Sequence, residues 1–189
     1  ALLRVLPGAG KGVCKLRVMK KIFLLFIITA FIFINQIQSA ICAPHWKKMP
    51  IRVYIEDNPK EYIMKKAFNK WKTASNGLVS FEFVSSPAQA DISVEFTNNL
   101  DGTAVGLCSY GGVVNGYFTK NTIYLARSES TFNRVLTTNE YYRIMLHEIG
   151  HALGLPHSDN VSSIMKPTTT QILTITKYDL KDLRKLYNN

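Results

Sequence analysis

From Pro50 to Ile55 the chain reads Pro-Ile-Arg-Val-Tyr-Ile, alternating apolar and polar, which is the period of a half-buried strand. Asn58-Pro59-Lys60-Glu61 reads as a helix start, with a cap, a proline at the first position and a glutamate at the third. The helix is predicted to run to about Ala74 and to stop at Asn76-Gly77. Ile63, Ala67, Phe68 and Trp71 recur at helical spacing and form its buried face. Leu78 to Val84 predicts a second strand with Phe81 and Phe83 on one face. Ala90 to Phe96 predicts a third, with Ile92, Val94 and Phe96 facing in. Asn98 to Gly116 breaks the pattern with Gly102, Gly106, Gly111, Gly112 and Gly116, and Thr122 to Ala126 restores it as a last strand. Thr137-Thr138-Asn139-Glu140 is a capping box that opens a second helix, with Tyr141, Ile144 and Met145 in its first turns. Thr176-Lys177-Tyr178-Asp179 caps a final helix whose buried face is Leu180, Leu183, Leu186 and Tyr187. Asp179 and Asp182 are assigned to its first turns and capping. No repeat, low-complexity tract or second globular domain interrupts this order.

The second helix runs into His147-Glu148-Ile149-Gly150-His151, followed by Gly154 and His157. His147 and His151 are four residues apart, so on a helix they share one face, a turn apart, and two imidazoles can reach one metal ion. Glu148 projects beside that ion, where it can take a proton from a bound water. Gly154 accepts positive φ at little cost, so the chain can turn sharply and return His157 as a third ligand. Three protein ligands leave a tetrahedral position open, the layout of a catalytic zinc site. Three of the four histidines lie in this pattern, His45 being the fourth. An ordinary helix with surface histidines would not bring three ligands, a base and a turn glycine together at these spacings.

The pattern resembles the metzincin clan of zinc endopeptidases. Ser158 directly after the third histidine resembles the matrixin branch, which includes the matrix metalloproteinases. So does Ser163-Ile164-Met165-Lys166-Pro167, which is similar to the matrixin Met-turn, with Met165 eight residues after His157. Ala67-Phe68 with Trp71, and Ala90-Asp91-Ile92, match the branch as well, and the likeness extends over residues 46 to 189. The resemblance implies an α+β fold of the metzincin catalytic type. It would have a twisted, mostly parallel sheet with one antiparallel edge strand, an active-site helix and a C-terminal helix. It implies an edge strand above the cleft near Val105 to Tyr110, able to pair with an extended peptide, although an ordinary flexible loop fits the same glycines. It implies Met165 as an apolar floor under the zinc, and residues Thr168 to Leu173 as a wall beside it. Vertebrate matrixins carry further histidines and aspartates for a structural zinc and calcium. His45 is the one spare histidine here, so one catalytic Zn2+ is expected and Ca2+ stays open.

Composition changes the picture at the N-terminus. Met19-Lys20-Lys21 followed by the apolar run Ile22 to Ile34 and the polar, small residues Gln36, Gln38, Ser39 and Ala40 has the layout of a secretory signal peptide. The run is short for a membrane span, so membrane attachment is expected only if this segment stays uncleaved. Residues 1–18 precede Met19 and read as an upstream extension, 19–40 as the signal, and 41–189 as the catalytic domain. The net charge of +10 is concentrated there: residues 1–40 hold six Lys or Arg and no acid, leaving 17 basic against 13 acidic residues. A mildly basic surface suffices for that balance, and no nucleic-acid partner is implied. Of the three cysteines, Cys42 and Cys108 lie beyond the signal segment and could form one disulfide in an oxidising compartment.

Together these features predict a secreted, monomeric zinc endopeptidase acting on protein or peptide substrates, with zinc on His147, His151 and His157 and Glu148 as general base. No prodomain or accessory domain is evident in the sequence. Two rivals remain at this point: a binding protein built on a protease scaffold, and a zinc hydrolase acting on something other than protein.

Overall fold

The computed structural model describes residues 43–98, 100, 104–127, 136–167 and 171–188. Five strands form one sheet. β1 (Ile51–Ile55) is followed by helix α1 (Glu61–Ala74), β2 (Phe81–Phe83), β3 (Ile92–Thr97), β4 (Gly106–Val114) and β5 (Tyr117–Ala126). Helices α2 (Thr138–Ala152) and α3 (Lys177–Tyr187) complete the domain. The strand order is β2-β1-β3-β5-β4. The first four of these run parallel and β4 is antiparallel to β5 at the edge. This is the mostly parallel α+β sheet with one antiparallel edge strand that the resemblance implies.

Chain chemistry accounts for the connections. Parallel β1 and β2 need a crossover, which α1 supplies. α1 begins two residues later than the Pro59 start: the Asn58 side chain accepts the Lys60 backbone N–H at 2.9 Å, holding Pro59-Lys60 in a turn ahead of the helix. Asn76 and Gly77 both take positive φ and end α1 where predicted. β2 is shorter than the predicted Leu78–Val84, because Leu78 to Ser80 are spent crossing from the helix to the sheet. β4 and β5 are longer than predicted. Asn115 (φ 53°) and Gly116 (φ 81°) join them as a two-residue hairpin, the pair that such a turn favours. The glycine-rich stretch is therefore largely strand, with register shifts around Gly112 where the edge bends.

The core lies between the sheet and the helices. Ile63, Met64, Ala67, Phe68 and Trp71 bury one face of α1, and Ile92, Val94, Phe96, Ile123 and Leu125 bury the sheet beneath it. Trp71 is fully buried, and its indole N–H donates to the Leu146 carbonyl of α2 at 3.0 Å. Arg52 of β1 donates to Asp91 at the start of β3 through both its guanidinium and its backbone N–H. Burial would raise the Asp91 carboxyl, but the bonds and charge of Arg52 outweigh it and hold the group below its ordinary value. In α3, Leu183 and Leu186 are buried, Leu180 and Tyr187 half-buried, and Asp182 exposed. No helix among the described residues is long and apolar enough to cross a membrane.

Candidate active site

α2 opens with the predicted capping box: Thr137 accepts the Glu140 N–H, and Glu140 accepts the Thr137 N–H. Its buried stripe of Tyr141, Ile144, Met145 and Ile149 seats it on the core, which turns His147 and His151 together toward a cleft of about 860 Å³. After Ala152 the chain leaves the helix through Gly154, whose φ of +99° suits glycine alone at little cost. A Cβ at that position would lie 2.2 Å from the Pro44 carbonyl oxygen, so the turn needs glycine twice over. The turn brings His157 back to the other two histidines. One ring nitrogen of each of the three lies within 4.8 Å of the others, and they form the one such cluster of three ligand-type groups among the described residues.

Two imidazoles are oriented by backbone. His147 Nδ1 donates to the Ile164 carbonyl at 2.7 Å, and His151 Nδ1 to the Leu155 carbonyl at 2.8 Å. With Nδ1 occupied, each ring presents Nε2 to the centre of the triad, where the two Nε2 atoms stand 3.1 Å apart. Neither ring is held as a cation. Burial lowers His147 to about 4, helped by the neighbouring histidines, and burial lowers His151 as well. Neutral imidazoles facing one point are the donor set a zinc ion takes.

Glu148 is buried beside them. Burial raises its carboxyl to about 7, against the backbone N–H of Cys108 and the charge of Arg143, which both pull it down. Its Oε2 has no hydrogen-bond partner among the described residues. A buried carboxylate oxygen is rarely left so, and here it borders the cleft, where a water held by a metal would satisfy it. The approach depends on Gly106 of β4, because a Cβ there would meet Glu148 Oε1 at 2.6 Å and Ile144 Cγ2 at 2.7 Å. The residues present thus fit a catalytic zinc ion in both donor set and vacant acceptor.

Several supporting residues carry no mark in the local pattern. Asp179, predicted as a capping residue, does cap α3 through Thr176, and it also ties α3 to the Met-turn. It accepts the Ser163 hydroxyl in a short hydrogen bond and the Ile164 N–H at 3.3 Å. Ile164 is the residue whose carbonyl orients His147. Met165 is buried and packs against Gly150: a Cβ on Gly150 would lie 2.2 Å from the Met165 sulfur. The last carbonyls of α2 are taken up by side chains from distant elements. Tyr110 donates to the His151 carbonyl, Trp46 and Asn121 to that of Ala152, and Tyr187 to that of Leu153. Tyr187 stood in a predicted pattern, the buried face of the last helix, while nothing local marked Trp46 or Asn121 for this role.

β4 lies along the cleft, with Gly106, Leu107, Cys108 and Tyr110 lining it. Cys108 has no disulfide partner among the described residues, and its expected partner Cys42 lies outside them. Burial pushes the Cys108 thiol up, and the charge of Glu148 adds to this, so it stays protonated at neutral pH. Of the expected wall from Thr168 to Leu173, residues 168–170 lie outside the described residues. Ile172 packs on the core, and Lys166 and Pro167 line the cleft.

A three-histidine cluster on a helix and its following turn, with a buried carboxylate between the helix and a sheet edge, defines the class as a zinc-hydrolase type of site. The family model described as Matrixin matches residues 46–188, and the chain belongs to the matrixin family. Metalloendoproteinase 1 of Glycine max is 27% identical over 145 residues, covering 70% of this chain and 47% of that protein. Matrix metalloproteinase-15 of Homo sapiens is 29% identical over 140 residues, covering 66% of this chain and 21% of that protein. The chain therefore spans less than half the length of these relatives. A crystal structure of myroilysin superposes at a TM-score of 0.47 with 17% identity, covering 74% of this chain and 83% of that one.

Proposed function

We propose that the protein is an exported zinc endopeptidase that hydrolyses peptide bonds, with His147, His151 and His157 as metal ligands and Glu148 as general base. The observation that carries this is the unpartnered Oε2 of Glu148, buried beside three imidazoles whose nitrogens converge on one point. A zinc ion held there would supply Lewis acidity, polarising the scissile carbonyl and acidifying a water. Glu148 takes the proton of the attacking water and delivers it to the leaving amine. The Cys108 N–H holds the carboxylate in place through both transfers. The substrate lies extended along β4, whose outer edge offers backbone groups for pairing, with Leu107 and Tyr110 exposed beside it. Residues 19–40 act as the export signal, in keeping with their basic and then apolar composition. The matrixin family and its metalloproteinase relatives support a protein substrate over a small molecule, and a retained base supports a working enzyme over an inactive binding scaffold.

The test is Glu148→Ala in the full chain, with zinc content and peptide cleavage measured side by side. The variant is expected to hold zinc as the wild type does and to lose about a thousandfold or more in kcat/KM. A variant that cleaves at the wild-type rate removes Glu148 from the reaction.

A further inference from the structure

The cleft beside the triad is cationic toward the start of α2. Arg143 precedes His147 by four residues, so it stands on the same face of the helix, one turn away, and both line the cleft. Lys166, from the turn that follows Met165, lines the same cleft. Among the described lining residues Glu148 is the one acid, and the proposed reaction occupies it.

Arg143 is half-buried and makes no ion pair among the described residues. The two carboxylates whose charge it feels are both engaged elsewhere. Glu140 is held by the Thr137 N–H and hydroxyl, each at 2.7 Å, and Glu148 by the Cys108 N–H. A guanidinium partly out of water without a carboxylate partner is costly, and burial lowers its pKa for that reason. A planar fork of five donors is also the group best matched to a carboxylate. Leu107, Ile144 and Pro167 line the cleft with apolar atoms, so a side chain with a short apolar stem and an anionic end would meet both kinds of surface. A basic side chain entering there would face Arg143 and Lys166 and be rejected.

We infer that the cleft selects peptides carrying an acidic side chain, glutamate ahead of aspartate, at the residue that enters it beside the triad, with Arg143 as the specificity-determining residue and Lys166 as a secondary contributor. This deepens the endopeptidase reading above and rests on it.

The experiment uses the zinc-loaded full chain and a randomised peptide library, with cut sites read by mass spectrometry. Matched quenched peptides then differ only in Glu, Gln, Leu or Lys at the enriched position. For the wild type, kcat/KM for Glu is expected to exceed that for the isosteric Gln by about tenfold, and Lys to be cut least. The Glu-to-Gln ratio within each enzyme cancels any general loss of activity. It is expected to fall to about one in Arg143→Gln, to be retained in part in Arg143→Lys, and to shrink in wild type as salt rises. Cleavage of the library with no acidic enrichment, or a Glu-to-Gln ratio unchanged in Arg143→Gln, overturns the inference and leaves the endopeptidase reading standing. No cleavage of any library peptide by zinc-loaded wild type removes that reading and the inference with it.

Discussion

Gly106 has no side chain, and Glu148 occupies the space that one would fill. Any Cβ there falls 2.6 Å from Glu148 Oε1, 2.7 Å from Ile144 Cγ2 and 2.8 Å from Glu148 Cγ. These are side-chain atoms, so the protein can fold around an alanine by moving the carboxylate. Catalysis is less forgiving than folding, since a displacement of about 1 Å in a reacting group costs about a hundredfold. Gly106→Ala is therefore expected to keep its zinc and most of its stability while kcat falls by about a hundredfold. Metal analysis, a thermal melt and a kcat measurement on the same preparation decide it. Unchanged kcat would mean that Glu148 does not need its present position. Gly154 was legible in the sequence because the motif requires a turn between His151 and His157. Gly106 was one of five glycines in a stretch without periodicity, and only the sheet register brings it against α2.

Among the elements, α2 does most to hold the site, and its C-terminal end is anchored from four directions. Trp46 Nε1–H and Asn121 Nδ2–H both donate to the Ala152 carbonyl, at 2.8 and 3.1 Å. Either one alone satisfies that carbonyl, whereas losing both leaves a buried acceptor empty. Trp46→Phe, which keeps the aromatic contact with Phe118, and Asn121→Ala are each expected to destabilise by about 1–2 kcal/mol. Together they are expected to cost more than their sum by about 1 kcal/mol. Urea unfolding of the two single variants and the double variant measures that coupling; strict additivity would show that the two donors do not share one task. The start of α2 was legible to the residue, because a capping box is a local feature, and its apolar positions carried the helix on to the histidines. The β4–β5 hairpin was legible in principle: Asn115-Gly116 between two chain segments is a hairpin signal, hidden there among other glycines. The bond from Asp179 to the Ile164 turn could not be read from spacing, since Ser163 and Asp179 are sixteen residues apart and meet only once α3 has packed.

On the scale of the whole molecule, local pattern gave four of the strands, the helices and the three histidines, and resemblance gave the edge strand and the mostly parallel sheet; the strand order came only with the structure. What neither gave was how distant segments hold one small site. Trp46 near the start of the domain, Tyr110 on the edge strand, Asn121 in β5 and Tyr187 in the last helix all end on the final turn of α2. Such contacts depend on tertiary packing and leave no periodic trace in the sequence. Their joint effect is to hold the end of α2 in place, while the Ile164 and Leu155 carbonyls turn two neutral imidazoles with Nε2 inward. The central claim is that these three histidines gather on one zinc ion. X-ray absorption at the zinc edge, on wild type and His157→Ala, tests it most directly. Wild type is expected to show three imidazole nitrogens at about 2.0–2.1 Å with an oxygen completing the shell, and the variant two imidazoles. Sulfur scattering at about 2.3 Å, which would put a cysteine thiolate on the metal, or an imidazole count unchanged by the loss of His157, would contradict it.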